Sequence, residues 1–129
     1  MAIKFEGLTV DAENPRGLAE FWAEVLGWRI GGEVDEIEVW IESELADRNG
    51  VGFPEILFLK NSEIKQVKNR LHLDLRPDDQ AAEVSRLEKL GATRIDIGQN
   101  EYPKCTWVVM SDPEGNEFCI LSDQPGSRD

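Results

Sequence analysis

The chain is poor in several residue types from which functional sites are built. It holds one histidine, two cysteines and 14 basic residues against 26 acidic ones, with a net charge of −12. This charge argues against nucleic acid as a partner, because phosphate binding requires a basic surface. No apolar run approaches the roughly 20 residues of a membrane span, and the N-terminus lacks the apolar region of a signal peptide. The sequence therefore predicts a cytoplasmic protein that binds neither nucleic acid nor membrane.

The chain contains an internal repeat. Phe5–Ile30 and Leu71–Ile95 each read as a strand, an Asp-containing turn, a helix that ends on Leu-Gly, and a further strand. Such self-similarity predicts a duplicated architecture. We expect one domain over 1–129, with module one at about 3–60 and module two at about 70–122.

The two predicted helices have recognisable ends. Asn14 suits the N-cap and Pro15 the first helical position, while Gly27 suits the left-handed position after the last turn. The second helix is predicted to start near Asp78 or Asp79 and to stop at Gly91. The residues predicted to face inward are Leu18, Phe21, Trp22, Val25 and Leu26 in the first helix, and Ala81, Val84, Leu87 and Leu90 in the second.

Three strands are predicted after each helix, so each module reads βαβββ. The predicted strands are Trp28–Gly31, Ile37–Glu42, Glu55–Lys60, Thr93–Ile97, Thr106–Ser111 and Glu117–Leu121. Two such units side by side predict an α+β fold with a curved, mixed eight-stranded sheet. The helices would cover its outer face and leave a concave cup, the usual place for a small molecule.

Polar and apolar residues alternate strictly at the start of module two. Arg70, His72 and Asp74 occupy one face of the predicted strand, and Leu71, Leu73 and Leu75 the other. Histidine is the side chain that changes charge near neutral pH. We therefore predict His72 and Asp74 as catalytic residues, with Arg70 binding substrate through its guanidinium. The alternative is an Arg70–Asp74 ion pair on a solvated face.

Three further residues are candidates for contact with a ligand. Trp40 and Trp107 lie on predicted strands and could line the cavity or pack in the core. Cys119 could contact a ligand or serve as a small buried apolar residue. A hairpin at Asp112–Asn116 would place Cys105 about 13 Å from Cys119 at roughly 3.3 Å per residue. That exceeds disulfide reach, so we expect two reduced thiols.

The repeat, the helix end AEFWAEVLGW and the hairpin DPEGNEF resemble the glyoxalase/bleomycin-resistance/dioxygenase superfamily, also called vicinal oxygen chelate proteins. The segments KNRLHLDL and NEFCIL resemble its glyoxalase-like subgroup. The resemblance implies a homodimer and a divalent metal, held by His, Gln or Glu on the first and last strands of the modules. Those positions are predicted at Phe5, His72, Cys119 and Glu55. Because Phe5 cannot ligate and Cys119 replaces the usual glutamate, we predict no metal site and leave the cofactor open. The alternative is a mixed site of His72, Cys119 and Glu55, which would favour zinc over magnesium or manganese.

Three functions remain open at this point. The chain could be a metal-dependent lyase, isomerase or dioxygenase that uses His72. It could be a metal-free protein that binds a drug or metabolite without catalysis, for which the acidic charge suits a cationic ligand. It could also be a metal-free acid–base enzyme built on His72, Asp74 and Arg70.

Overall fold

The computed structural model describes residues 3–44, 54–96 and 106–123. It divides into two compact units, Met1–Ile64 and Lys65–Asp129, which contain modules one and two. None of the described helices is long and apolar enough to cross a membrane.

Module one follows the predicted order of elements. Its elements are β1 Gly7–Ala12, α1 Pro15–Leu26, β2 Arg29–Val34, β3 Glu38–Glu42 and β4 Glu55–Lys60. The strands form one sheet in the order β1-β4-β3-β2. The β1–β4 pair is parallel and the other two pairs are antiparallel. Helix α1 packs on β3 and β4, where Leu18, Ile41 and Phe58 are fully buried.

Helix α1 begins and ends as its sequence predicts. The Asn14 side chain accepts a hydrogen bond from the Gly17 N–H at 3.1 Å, and Pro15 opens the helix. Gly27 ends it with φ 67°, a left-handed conformation that suits glycine. This cap directs the chain back along the sheet as β2.

Module two repeats the topology with shorter strands. Its elements are β5 Asp74–Leu75, α2 Gln80–Leu90, β6 Thr93–Arg94, β7 Val108–Ser111 and β8 Glu117–Ile120. The sheet order is β5-β8-β7-β6, with β5 parallel to β8 and the other pairs antiparallel. The same order in both modules confirms the predicted βαβββ duplication and the α+β class. The eight described strands form two four-stranded sheets; the eight-stranded cup stays a prediction.

Helix α2 is capped by Asp79, whose carboxylate accepts from the Ala82 N–H at 3.0 Å, and ends at Gly91 with φ 117°. Val84 and Leu87 are buried as predicted. Ala81 is exposed, so its predicted inward position is wrong. Ala81 stands only two residues after the N-cap Asp79, before the first buried residue of the helix, Val84.

The predicted starts of two strands are also wrong. The first strand of module one begins at Gly7 and not at Phe5, and that of module two begins at Asp74 and not at Leu71. Phe5 and Leu71 are accordingly 70% and 83% exposed. A side chain outside the paired part of a strand has no facing layer to bury it. Cys105 lies outside the described residues.

Trp40 has a packing role in module one. Its indole ring lies across Gly31 and Gly32 of β2, where the register shifts between Ile30 and Gly32. A Cβ at Gly32 would stand 2.2 Å from Trp40 Cζ2. Glycine is therefore required beneath this ring.

Gly32→Ala should lower the free energy of unfolding by about 1–3 kcal/mol, because the added methyl overlaps the Trp40 ring. Urea denaturation measures the change. The matched background is Trp40→Phe, whose smaller ring vacates the overlap, so the same alanine should cost less there. Equal costs in both backgrounds would contradict the contact.

Candidate active site in module two

Three potential donor side chains come together on the β5–β8 pair. Asp74 of β5 lies directly opposite Cys119 of β8, and His72 precedes Asp74 by two residues on the same face. His72 Nδ1 lies 3.4 Å from Asp74 Oδ1 and 3.9 Å from Cys119 Sγ. The three donor atoms all lie within 4.8 Å of one another.

The backbone holds this group from both strands. The Cys119 N–H donates to the Leu73 carbonyl at 2.9 Å, and the Leu121 N–H donates to the Leu75 carbonyl at 2.8 Å. Leu73 lies between His72 and Asp74, so the strand segment carrying both is tied to Cys119 at its midpoint. The sheet therefore sets Asp74 opposite Cys119, and the hydrogen bond to Leu73 holds the residue next to His72 against β8.

The group is open to solvent on one side. The side chains of His72 and Asp74 are 38% and 53% exposed, whereas Cys119 is buried and reduced. A ligand can thus reach the imidazole and the carboxylate from outside, with the sulfur at the base of the group.

The turn before β8 is built from the motif Asp112–Asn116. The Asp112 carboxylate accepts from the N–H groups of Glu114 and Asn116, at 2.9 and 3.0 Å. Gly115 adopts φ 87°, which a side chain would disfavour. This closed turn sets the register of β7 on β8, which places Val109 opposite Cys119.

Glu117 anchors the segment that leads to His72, a feature that sequence reasoning missed. Its carboxylate accepts from Lys65 Nζ and from the Asn69 N–H, both at 2.9 Å. Burial alone would raise the pKa of Glu117, but the hydrogen bonds from Lys65 and Asn69 outweigh it and lower the pKa. Its position two residues before Cys119, on the same face, is the signal that could have identified it.

The other predicted site residues are placed as follows. Asp74 pairs with His72 and, within the described residues, not with Arg70, which is exposed before β5. Trp107 is half-buried one residue before β7, on the face that carries Val109. Trp40 belongs to module one and packs on β2. The ligand contacts predicted for Arg70, Trp40 and Trp107 stay predictions.

Among the described residues, the corresponding positions of module one carry no matching set of donors. His72 and Gly7 each stand seven residues before their helix N-cap, and Asp74 and Thr9 each stand five before it. Thr9 lies opposite Leu57 as Asp74 lies opposite Cys119. Gly7, not Phe5, is therefore the counterpart of His72. A Cβ there would meet the Glu55 carbonyl oxygen at 2.8 Å.

The counterpart of Cys119 is likewise corrected, from Glu55 to Leu57. Extending the β5–β8 register by two residues places Glu117 opposite His72. In module one, Glu55 lies opposite Gly7. Glu55 is therefore the counterpart of Glu117. Module one thus carries glycine, threonine and leucine where module two carries histidine, aspartate and cysteine. The two modules therefore differ at all three donor positions.

The geometry can be compared with what a metal ion requires. Ligand atoms about 2.0–2.3 Å from a tetrahedral zinc ion lie about 3.3–3.6 Å apart. The His72–Asp74 distance of 3.4 Å falls in that range, and the Cys119–His72 distance of 3.9 Å exceeds it by a few tenths of an ångström. All three donor atoms lie within 4.8 Å of one another, so a bound ion would draw the side chains closer together. The chemistry of the set fits a divalent ion that accepts nitrogen, oxygen and sulfur.

Comparison with known proteins identifies the class. The model of the glyoxalase-like domain matches residues 7–121. The chain belongs to this family. None of the curated protein sequences matches it.

Solved structures share the fold at low sequence identity. A FosX fosfomycin resistance protein variant from Listeria monocytogenes, complexed with Mn(II) and dihydroxypropylphosphonic acid, is 11% identical with TM-score 0.71, covering 96% of this chain and 93% of its own. A glyoxalase/bleomycin resistance protein/dioxygenase family enzyme from Burkholderia phytofirmans is 18% identical with TM-score 0.67, covering 92% and 98%. A possible glyoxalase from Bacillus cereus is 15% identical with TM-score 0.63, covering 93% and 99%.

Glu117→Gln should destabilise the protein by about 1–3 kcal/mol, because it leaves the half-buried Lys65 ammonium without its counter-charge. The matched control is Glu42→Gln, which breaks the exposed Arg29–Glu42 pair and should cost about 0–1 kcal/mol. Chemical denaturation at neutral pH measures both variants. Equal costs would contradict the anchoring role.

The same carboxylate predicts a pH dependence of stability. Because folding lowers the pKa of Glu117 from its ordinary value of 4.5, its stabilisation is present above pH 4.5. It is lost as the pH falls through the lower pKa of the folded state. Denaturation midpoints across this range should show a smaller acid-side decline in Glu117→Gln than in the wild type. Parallel curves would rule the contribution out.

Proposed function

We propose that the protein binds a small organic molecule at His72, Asp74 and Cys119 and acts on it as a lyase, isomerase or dioxygenase. The observation that carries this proposal is the convergence of the three side chains within 4.8 Å in module two. Their counterparts in module one, Gly7, Thr9 and Leu57, form no such group.

His72 is the candidate acid–base residue. With its Nδ1–H donating to Asp74, its Nε2 would have a lone pair with which to accept a proton from a bound molecule. Asp74 would orient the ring and stabilise the imidazolium that results. The exposure of both side chains gives a substrate access to them.

The same three side chains would hold a divalent metal through Nδ1, a carboxylate oxygen and the sulfur. When bound, the metal would supply Lewis-acid polarisation of a substrate oxygen. His72 would then use Nδ1 as a ligand and could not also donate it to Asp74. The two uses of the imidazole therefore exclude each other and can be separated by experiment.

Two observations on the structural neighbours support a ligand class. The ligand of the FosX structure carries two hydroxyl groups, and another neighbour is described as a possible glyoxalase. We therefore expect molecules with two adjacent oxygen atoms, such as vicinal diols and hydroxy-ketones. A catalytically inactive binding protein is the second candidate, favoured by the absence of ligand donors at Gly7 and Leu57 in module one.

His72→Ala should lower turnover of a substrate found in a panel of vicinal diols and hydroxy-ketones by about 10²–10⁴-fold, without unfolding the protein. Thermal shift finds ligands and a product assay measures turnover. The matched control is Leu71→Ala, since Leu71 is the exposed neighbour and should retain turnover.

Three results separate the candidates. Turnover lost in His72→Ala alone supports an enzyme. Ligand binding without turnover in the wild type favours the binding protein. Unchanged binding and turnover in His72→Ala would place function elsewhere in the chain.

A further inference from the structure

We propose that His72, Asp74 and Cys119 bind one thiophilic divalent cation, zinc in the first instance, with Cys119 as a thiolate ligand. The inference deepens the proposed function and rests on it for the location of the site. It concerns which metal this chain selects, and it assigns Asp74 and Cys119 as ligands beside His72.

The donor set itself carries the selectivity. One imidazole nitrogen, one carboxylate oxygen and one sulfur suit zinc or cobalt, whereas magnesium and manganese prefer oxygen ligands. A sulfur ligand at Cys119 should shift the metal preference of this chain away from that of a carboxylate-rich site.

The placement of the three donors is suitable for coordination. The sulfur is buried at the base, while His72 and Asp74 stand at the solvent side. The hydrogen bond from the Cys119 N–H to the Leu73 carbonyl fixes the sulfur relative to both. Three protein ligands would leave a fourth tetrahedral position for water or substrate.

The charges are also balanced. A thiolate and a carboxylate together carry the two negative charges that a divalent cation neutralises, while the imidazole binds in its neutral form. The nearby Lys65 and Glu117 already neutralise each other as an ion pair. The ion and its three ligands would therefore add no net charge beside the buried strand β8, which limits the desolvation cost.

Cobalt titration of the reduced, metal-stripped full chain tests the ligand assignment. One equivalent of Co²⁺ should bind with a thiolate-to-cobalt absorption band in the near ultraviolet. Cys119→Ser should lose this band, and Asp74→Asn should keep it with weaker binding. Cys105→Ser is the matched control, because it removes the other thiol and should leave the band unchanged.

Competition between zinc and manganese tests the selectivity. Nitrogen, oxygen and sulfur sites generally bind zinc more tightly than manganese, so the informative quantity is the change in their affinity ratio. That ratio should fall by at least about tenfold in Cys119→Ser, since manganese depends less on sulfur. Cys105→Ser should keep the wild-type ratio.

Several results would overturn the inference: cobalt binding without the band, loss of the band in Cys105→Ser alone, or no binding of either cobalt or zinc. If Cys119→Ser fails to fold, the wild-type spectrum and Cys105→Ser still decide. Small-molecule binding measured with a chelator present tests the proposed function separately. A protein that binds zinc through Cys119 but none of the small molecules would keep this inference and refute that function.

Discussion

The parallel pairing of β5 on β8 is the contact on which the candidate site depends. It joins Asp74 to Cys119 across the sheet, although the two are far apart in the sequence. The Cys119 N–H bond to Leu73 ties β8 to the segment that carries His72 and Asp74. A shift of this register by one residue would turn the Cys119 thiol to the opposite face of the sheet. The chemistry of the group is therefore a consequence of backbone hydrogen bonding.

Glu117 extends this constraint along the chain. By accepting from Lys65 and Asn69, it fixes the approach to His72 where regular strand structure has not yet begun. On the edge of β8 that faces away from β5, the Asp112–Asn116 turn sets the pairing of β8 with β7. Two local polar networks thus hold a two-residue strand, β5, in a defined place. Its own short ladder would be too weak for that task.

The two modules share a fold but differ in the donor side chains that they carry. Each module repeats the same sheet order, and the same helix caps set the spacing from the first strand. Module one nevertheless has Gly7 and Leu57 where module two has His72 and Cys119. The close approach of Glu55 to Gly7 shows that a histidine there would require the backbone to move. Module two therefore carries the group of donors, and the corresponding positions of module one do not.

The sequence by itself determined the βαβββ repeat, the helix ends at Asn14, Gly27 and Gly91, and the shared face of His72 and Asp74; it narrowed the second helix start to Asp78 or Asp79. These depend on local conformational preference and on period-two alternation, which are legible over a few residues. Only the tertiary structure decided that Leu71 and Ala81 are exposed, that Gly7 replaces Phe5 as the counterpart of His72, and that Glu117 anchors the segment before His72. It also decided that Cys119 lies beside His72 and Asp74. These outcomes depend on which strands pair and in what register, and pairing between distant segments is set by the packing of the whole module.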